Sequence, residues 1–443
     1  MYCSSLKGST NGLITVAGGD STSGGLGGGG RIALSYDSSR QATASNPGVR
    51  FSAAPGSGLV SSNGYPVYGG TPSWGTLWLT DATLISANVS NLTGVGVANP
   101  TDWSMDSLSL IGKAIGIVGS GMRLTVLNNL MIGAGATQFV SEGAVLECRG
   151  NLTLTNGGAL YAYSGATNAA TPAYGVLVGV TGDVVIAAGS WIYSHSHPTN
   201  GGSPLFRMRS LTIAANAGIN AQGRGFAGAA AAAGTGYGPG KGQGDAGGNA
   251  RSGAGHGGLG GGASGVYGQI YGSSNAPVHA GSGGGGDSNS GHGGRGGGLV
   301  RIEVNQTVIL NGTIIADGLS GGSGSIGARA GSGGSGGGIF VLCGEFQGNA
   351  SGLLSANGGS RGDTGKGGGG GRIAVGIGLS AEQRAELLAN SSVATARTLP
   401  AYDRFGGTVT ALGGTNSAGV SGADGTIVWL WVASKIGTVF TMF

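Results

Sequence analysis

The five histidines are the first candidates for chemistry. His195-Ser196-His197 spaces two imidazoles two residues apart, which on a β-strand puts both on one face and suits a metal ion. His256, His279 and His292, with Asp245 and Asp287, fall in one glycine-rich stretch and could add ligands. Pro198 follows the His pair directly, and no ligand spacing links the two groups. The reading is therefore solvated polar surface, with no metal assigned. A glycosidase-like acid/base pair needs carboxyl groups roughly 5–10 Å apart, and calcium needs several oxygens. The 18 acidic residues are instead dispersed. Asp102 and Asp106, the closest Asp pair, flank Trp103 in what reads as an irregular connection. No catalytic or cofactor-binding residue is assigned, and an enzyme is not expected.

Other motifs dissolve on inspection. Arg361-Gly362-Asp363 is an adhesion-type tripeptide, but the related segment near the N-terminus has Ser21-Thr22-Ser23 there. Gly-x-Gly-x-x-Gly matches are numerous, and none opens a helix. Lys241 and Lys366 lack the Ser/Thr and upstream glycine of a phosphate loop. Sequons such as Asn151-Leu152-Thr153 arise freely in a chain rich in Asn, Ser and Thr. Tyr161, Tyr163, Trp191 and Tyr193 could form an aromatic strip on an outer face, with ordinary strand packing as the plainer reading. Cys3, Cys148 and Cys343 have no metal spacing and read as small buried apolar groups, with a disulfide between units as the alternative.

The elements that must position these residues are short and glycine-punctuated. Of 443 residues 103 are glycine, and 9% are charged against a usual quarter or so. Hydrophobic residues still reach 39%, enough for a core and too many for simple disorder. The net charge of +4 comes from scattered residues without a basic stripe, which excludes a nucleic-acid footprint. Only 11 prolines and no three-residue glycine period exclude collagen. The N-terminal residues lack a signal peptide's basic start and apolar run. Residues 427–443 are apolar but contain Lys435 and fall short of the ~20 residues a membrane span requires.

Aliphatic runs at Leu124–Leu130, Leu152–Leu154, Val184–Ile186, Ser210–Ile213 and Val308–Leu310 predict short strands. Turns are predicted at Gly119, Asn128, Gly143, Asn156-Gly157, Gly182 and Gly189. A longer pattern overlies these. Cys3, Gly12-Leu13 and Gly27–Ala33 recur about 340 positions later as Cys343, Gly352-Leu353 and Gly368–Ala374. Gly75-Thr76-Leu77 is echoed by Gly425-Thr426-Ile427. Such self-similarity signals stacked repeats. Locally, strands end in Ala-x-Gly (Ala221, Ala316, Ala356), a glycine-rich excursion follows, and the chain returns through a glycine run into a new strand. The longest excursion, 224–298, is predicted to pack in an ordered way, because a structureless loop that long is uncommon. Ser380 with Gln383 predicts one capped helix over Ala381–Leu388. It has no counterpart in the first copy, where Ser38–Asn46 reads as loop.

The Gly-Gly-Gly-Arg-Ile-Ala strands, Ala-x-Gly exits and Gly-Thr-[Leu/Ile] closing strands resemble the large glycine-rich β-solenoid surface proteins of environmental bacteria. That resemblance implies a secreted or cell-surface scaffold. The expected fold is all-β, a parallel β-helix with glycine-rich excursions able to pack as polyglycine-II-like chains, plus one short helix. Residues 1–38 read as the tail of a preceding repeat unit and 39–106 as an irregular β segment. Residues 107–223 read as solenoid coils, 224–298 as the glycine-rich insert, 299–378 as further coils, and 379–443 as a helix with closing strands. Val428–Val432 and Val439-Phe440 read as an uncapped, sticky end. The expected function is an extracellular structural protein whose partner is itself. The alternatives are a surface adhesin for polysaccharide and a polysaccharide-degrading β-helix enzyme. No cofactor, nucleic acid or membrane-spanning segment is expected.

Overall fold

A computed structural model describes residues 1–9, 11–20, 27–44, 48–54, 56, 75–81, 83–84, 92–93, 95–99, 101–111, 115–167, 174–230, 234–244, 251–262, 265–287, 291–322, 330–360, 365–389, 397–399, 403–415 and 420–431. The chain is mostly β, with two short helices, α1 (Ser38–Thr43) and α2 (Ala381–Ala389). Its strands form sheets of 12, 15 and 3 strands. Among the described residues, every pairing between these strands is parallel except that of Arg397–Leu399 with Thr426–Trp431.

The parallel register follows from side-chain alternation: every second residue points inward, so equivalent positions of successive strands stack into ladders. In the 15-stranded sheet one ladder runs Leu108, Leu130, Leu152, Val184, Leu211, Val308, Phe346. In the 12-stranded sheet another runs Gln138, Leu160, Ile192, Ile219, Ile314, Leu354, Val409. Each fully buried aliphatic rung contributes about 1.5–3 kcal/mol. Cys148 and Cys343 occupy inward rungs as free thiols, and burial holds the Cys343 thiol up at about 12.

The turns stack as well. Asn156, Gly157, Gly143 and Gly189 adopt positive φ as their residue types permit, and Gly135 and Gly189 donate to Asn156 and Asn216 of neighbouring turns. Gly182 departs from expectation. It lies inside the continuous strand Val176–Ile186, where an irregularity between Val180 and Asp183 absorbs the bend that Gly182 was expected to supply as a turn.

Three further expectations are corrected. Ser38–Thr43 is a helix, not a loop, because the Asp37 carboxylate accepts from the backbone N–H of Ser39 and Arg40 at 2.9 and 3.1 Å. It follows the strand Arg31–Tyr36 as α2 follows Arg372–Ile377, so the copied unit includes a helix. Asp102-Trp103 begins a strand, Asp102–Met105, rather than an irregular connection: Trp103 is buried and stacks on Leu124. The strand Thr426–Trp431 is not a wholly bare edge, since Arg397–Leu399 pairs antiparallel with its second half, Trp429–Trp431. Residues 432–443 lie outside the described residues.

The capping box predicted for α2 forms as a reciprocal pair: Gln383 N–H donates to Ser380 Oγ at 3.2 Å, and Ser380 N–H to Gln383 Oε1 at 2.8 Å. The helix buries Leu387 against Phe340, Leu342, Ala374 and Leu430. This cover explains why Gly338–Cys343 and Arg372–Ile377 are buried on both faces.

Candidate functional site

Two features stand out against the stacked strands, a packed glycine slab and a row of aromatic side chains. The slab begins at the Ala-x-Gly exits. Alanines 221, 316, 356 and 411 are inward and buried, and the next polar side chain bridges successive exits: Asn357 N–H donates to Asp317 Oδ1 at 2.6 Å and Leu412 N–H to Asn357 Oδ1 at 2.7 Å. The exit glycine then lies against its own return limb. A Cβ on Gly358 would sit 2.1 Å from the Gly368 carbonyl oxygen, and one on Gly413 2.0 Å from that of Gly422. No other residue type fits such an approach.

The excursions bond laterally through their backbones. Gly281 donates to Gly297, Gly297 to Ser335, Gly336 to Gly369, and Gly370 to Ala423, all at 2.8–2.9 Å. The middle of the long insert crosses over them: Ala254 donates to Gly333, Gly369 donates back to Ala254, and Gly257 donates to Gly370. Residues 281–287 are all buried. Buried backbone groups thus find partners without a conventional sheet, as they must.

Within this slab, Arg251 and Asp287 form a buried ion pair, and Arg251 also donates to the Ala330 carbonyl at 3.1 Å. His256 is fully buried. Its Nδ1 lies 2.9 Å from the Gly336 carbonyl, which makes it the donor, and its ring packs on Tyr271 at 4.6 Å. The burial of His256 and Asp287 corrects the expectation of solvated surface for those two residues, whereas His279 and His292 are exposed as expected.

Burial, with Arg372 and His279 nearby, holds His256 down at about 3. Its folded pKa is thus below the unfolded value near 6.5. Stability from keeping it neutral is complete above pH 6.5 and is lost as pH falls toward 3, because the unfolded chain gains a proton that the folded chain refuses. The expected loss across that window is several kcal/mol. Denaturation of the wild type and His256→Phe between pH 7 and pH 3.5 checks this: the variant should show the shallower pH dependence, and parallel curves would refute the assignment.

The aromatic row lies on the outer face of the 12-stranded sheet. Register places Phe139, Tyr161 and Tyr193 on successive strands, and the rings stack at 5.0 and 4.4 Å between centroids. Tyr163 stacks on His195 at 4.2 Å. The Arg224 guanidinium covers Tyr193 at 4.8 Å, donates to His195 Nε2 at 3.1 Å and is held by Asn220 Oδ1 at 2.7 Å. Burial, then the charges of Arg224 and Arg295, push His195 well below the usual range, so it is neutral. Trp191 stands apart from the stack, over the missing side chain of Gly218.

The sequence grouping of Tyr161, Tyr163 and Tyr193 is therefore brought together. Phe139, His195 and Arg224 complete it, and only the strand register could have signalled them. His195 and His197 do not share a strand face: His195 ends the strand Trp191–His195, whereas His197 opens a turn closed by Gly201 N–H at 2.9 Å. Among the described residues no three His, Cys, Asp or Glu side chains converge as a metal site. Asp245, Arg361 and Asp363 lie outside the described residues.

A shallow groove of about 480 Å³ opens over Gly179 on the 15-stranded sheet, between Glu147, Arg207, Glu303 and Arg384. Its carboxylates are taken: Arg123 holds Glu147 at 2.6 Å, while Arg207 and Arg301 hold Glu303 at 2.7 and 2.8 Å. Against the burial that would raise it, Arg207 and Arg301 hold Glu303 below the usual range, opposite to the protonated carboxyl that acid catalysis needs.

No family profile, curated protein or solved structure matches this chain. Among the described residues no helix is long and apolar enough to cross a membrane.

Proposed function

We propose that the chain is a structural protein of the cell surface or extracellular space, folded as a parallel β-solenoid with a polyglycine-II-like flank, which self-associates into a fibre or layer. The observation that carries this reading is the glycine slab. Its inner glycine segments, such as 281–287 and 331–338, are buried, laterally hydrogen-bonded and crossed by the middle of the insert. Such construction yields a stiff body with little charge and few reactive groups, the properties of a scaffold. The flank also exposes apolar side chains through which copies could associate. Tyr237, Leu259, Tyr267 and Ile270 of the insert stand exposed, at 39–49% of their full area.

Negative-stain imaging and light scattering of purified protein should reveal filaments, sheets or large assemblies, diminished by Tyr267→Ser with Ile270→Ser. A sharp monomer in dilute buffer would overturn the proposal.

The second reading, a polysaccharide adhesin, rests on the aromatic row. Phe139, Tyr161 and Tyr193 turn their ring faces to one another, so a sugar would meet ring edges and hydroxyls rather than open faces. Retention on insoluble polysaccharide, lost on replacing Trp191 or Tyr163, would favour this reading over the structural one.

A further inference from the structure

The aromatic row holds two phenols in a geometry with chemical consequences. Tyr161 and Tyr193 are directly opposite in adjacent parallel strands, with ring centroids 4.4 Å apart and planes inclined by 22°. Parallel register makes the rings superpose in the same sense, so both hydroxyls lie at the outer end of the stack. The stack is braced on both sides, by Phe139 beneath Tyr161 and by Arg224 over Tyr193. The neighbouring Tyr163 is 6.3 Å from Tyr161 on the same strand and packs instead on His195. Other phenols are committed elsewhere: Tyr36 donates to Asp81 and Tyr271 to the Ala280 carbonyl.

We propose that Tyr161 and Tyr193 are an oxidative cross-linking site, which a one-electron oxidant converts to a dityrosine joining adjacent strands. Each phenol gives one electron to the oxidant and its hydroxyl proton to solvent, leaving two phenoxyl radicals. These carry spin on the ring carbons ortho to oxygen, and one such carbon of each ring forms the new carbon–carbon bond. The hydrogens on the joined carbons then move to the oxygens, restoring two aromatic phenols. In total two electrons reduce two equivalents of oxidant and two protons leave.

Burial first, and the neighbouring phenols next, keep Tyr161 protonated up to about 12, so proton and electron leave together. Fixed stacking replaces the diffusional encounter that radical coupling otherwise needs, which favours this pair over more exposed tyrosines. The product is a covalent staple between strands and does not depend on association of copies.

The test is brief exposure of the full chain to photogenerated tris(bipyridine)ruthenium(III), followed by peptide mass spectrometry of the monomer band. The expected result is dityrosine fluorescence together with a linked peptide pair containing Tyr161 and Tyr193, lighter by two hydrogens. That pair should disappear in Tyr193→Phe, which keeps the ring stack, and persist in Tyr267→Phe. The proposal is overturned if the wild type couples only through exposed tyrosines such as Tyr237 and Tyr267, or only between molecules.

Discussion

Gly334→Ala is expected to lower stability by about 3 kcal/mol or more, an overpacking effect at the upper end of its range. The added Cβ would lie 2.2 Å from the Arg295 carbonyl oxygen and 2.4 Å from its carbon. Both obstacles are backbone, and that backbone is itself fixed by a Leu319 N–H bond to Arg295 O at 2.8 Å. Relief would separate layers that also carry the Gly334 bond to Leu319 at 3.0 Å and the Gly359 bond to Gly334 at 2.8 Å. Gly19→Ala is the matched control, because nothing lies within 4 Å of its Cβ position. Its effect should stay within about 0.5 kcal/mol. Urea denaturation of both variants decides the matter, and equal midpoints would mean that the slab does not behave as a close-packed solid.

Arg251→Met should cost about 3–5 kcal/mol, since it strips the guanidinium from a carboxylate that stays buried. Arg251 is 4% exposed and Asp287 is wholly enclosed, so water cannot replace the lost partner without opening the slab. Adding Asp287→Asn to Arg251→Met should recover much of the loss, because it removes the buried charge whose cationic partner the first substitution takes away. Thermal or urea unfolding of the single and double variants measures the difference. A single-variant loss under about 1 kcal/mol, or no recovery in the double, would overturn the ion pair as a main support of the slab.

Much of the β character was legible because it is local. Leu152–Leu154 and Val308–Leu310 announce strands by alternation, and Asn156-Gly157 announces its turn by tolerance of positive φ. Ser380 and Gln383 announce a helix start by the reach of their own side chains. The α1 helix was missed because its cap, Asp37, precedes a six-residue segment with no apolar period. Its Gln41 is fixed by distant bonds to the Leu6 backbone at 2.7 and 3.2 Å.

The candidate sites depended far more on register. Tyr161 and Tyr193 could be suspected as neighbours from their types, but Phe139 joins them only through the parallel pairing of three strands separated by unequal lengths of chain, and Arg224 through the turn that follows the next strand of that sheet. His256 looked like surface because glycine surrounds it, and tertiary packing makes it one of the most enclosed side chains in the molecule.

By itself, the amino-acid sequence determined that strands would be short, that alanine and glycine would mark the exits, and that one unit would be copied with its cysteine in place. Those properties follow from residue-by-residue sterics and from side-chain alternation. Only the tertiary structure decided that the glycine excursions form a buried, laterally bonded slab and that the long insert clamps them. It alone decided which rings face each other. Glycine carries no side chain to encode a partner, so the choice is made by whichever backbone carbonyl approaches each N–H in the packed state.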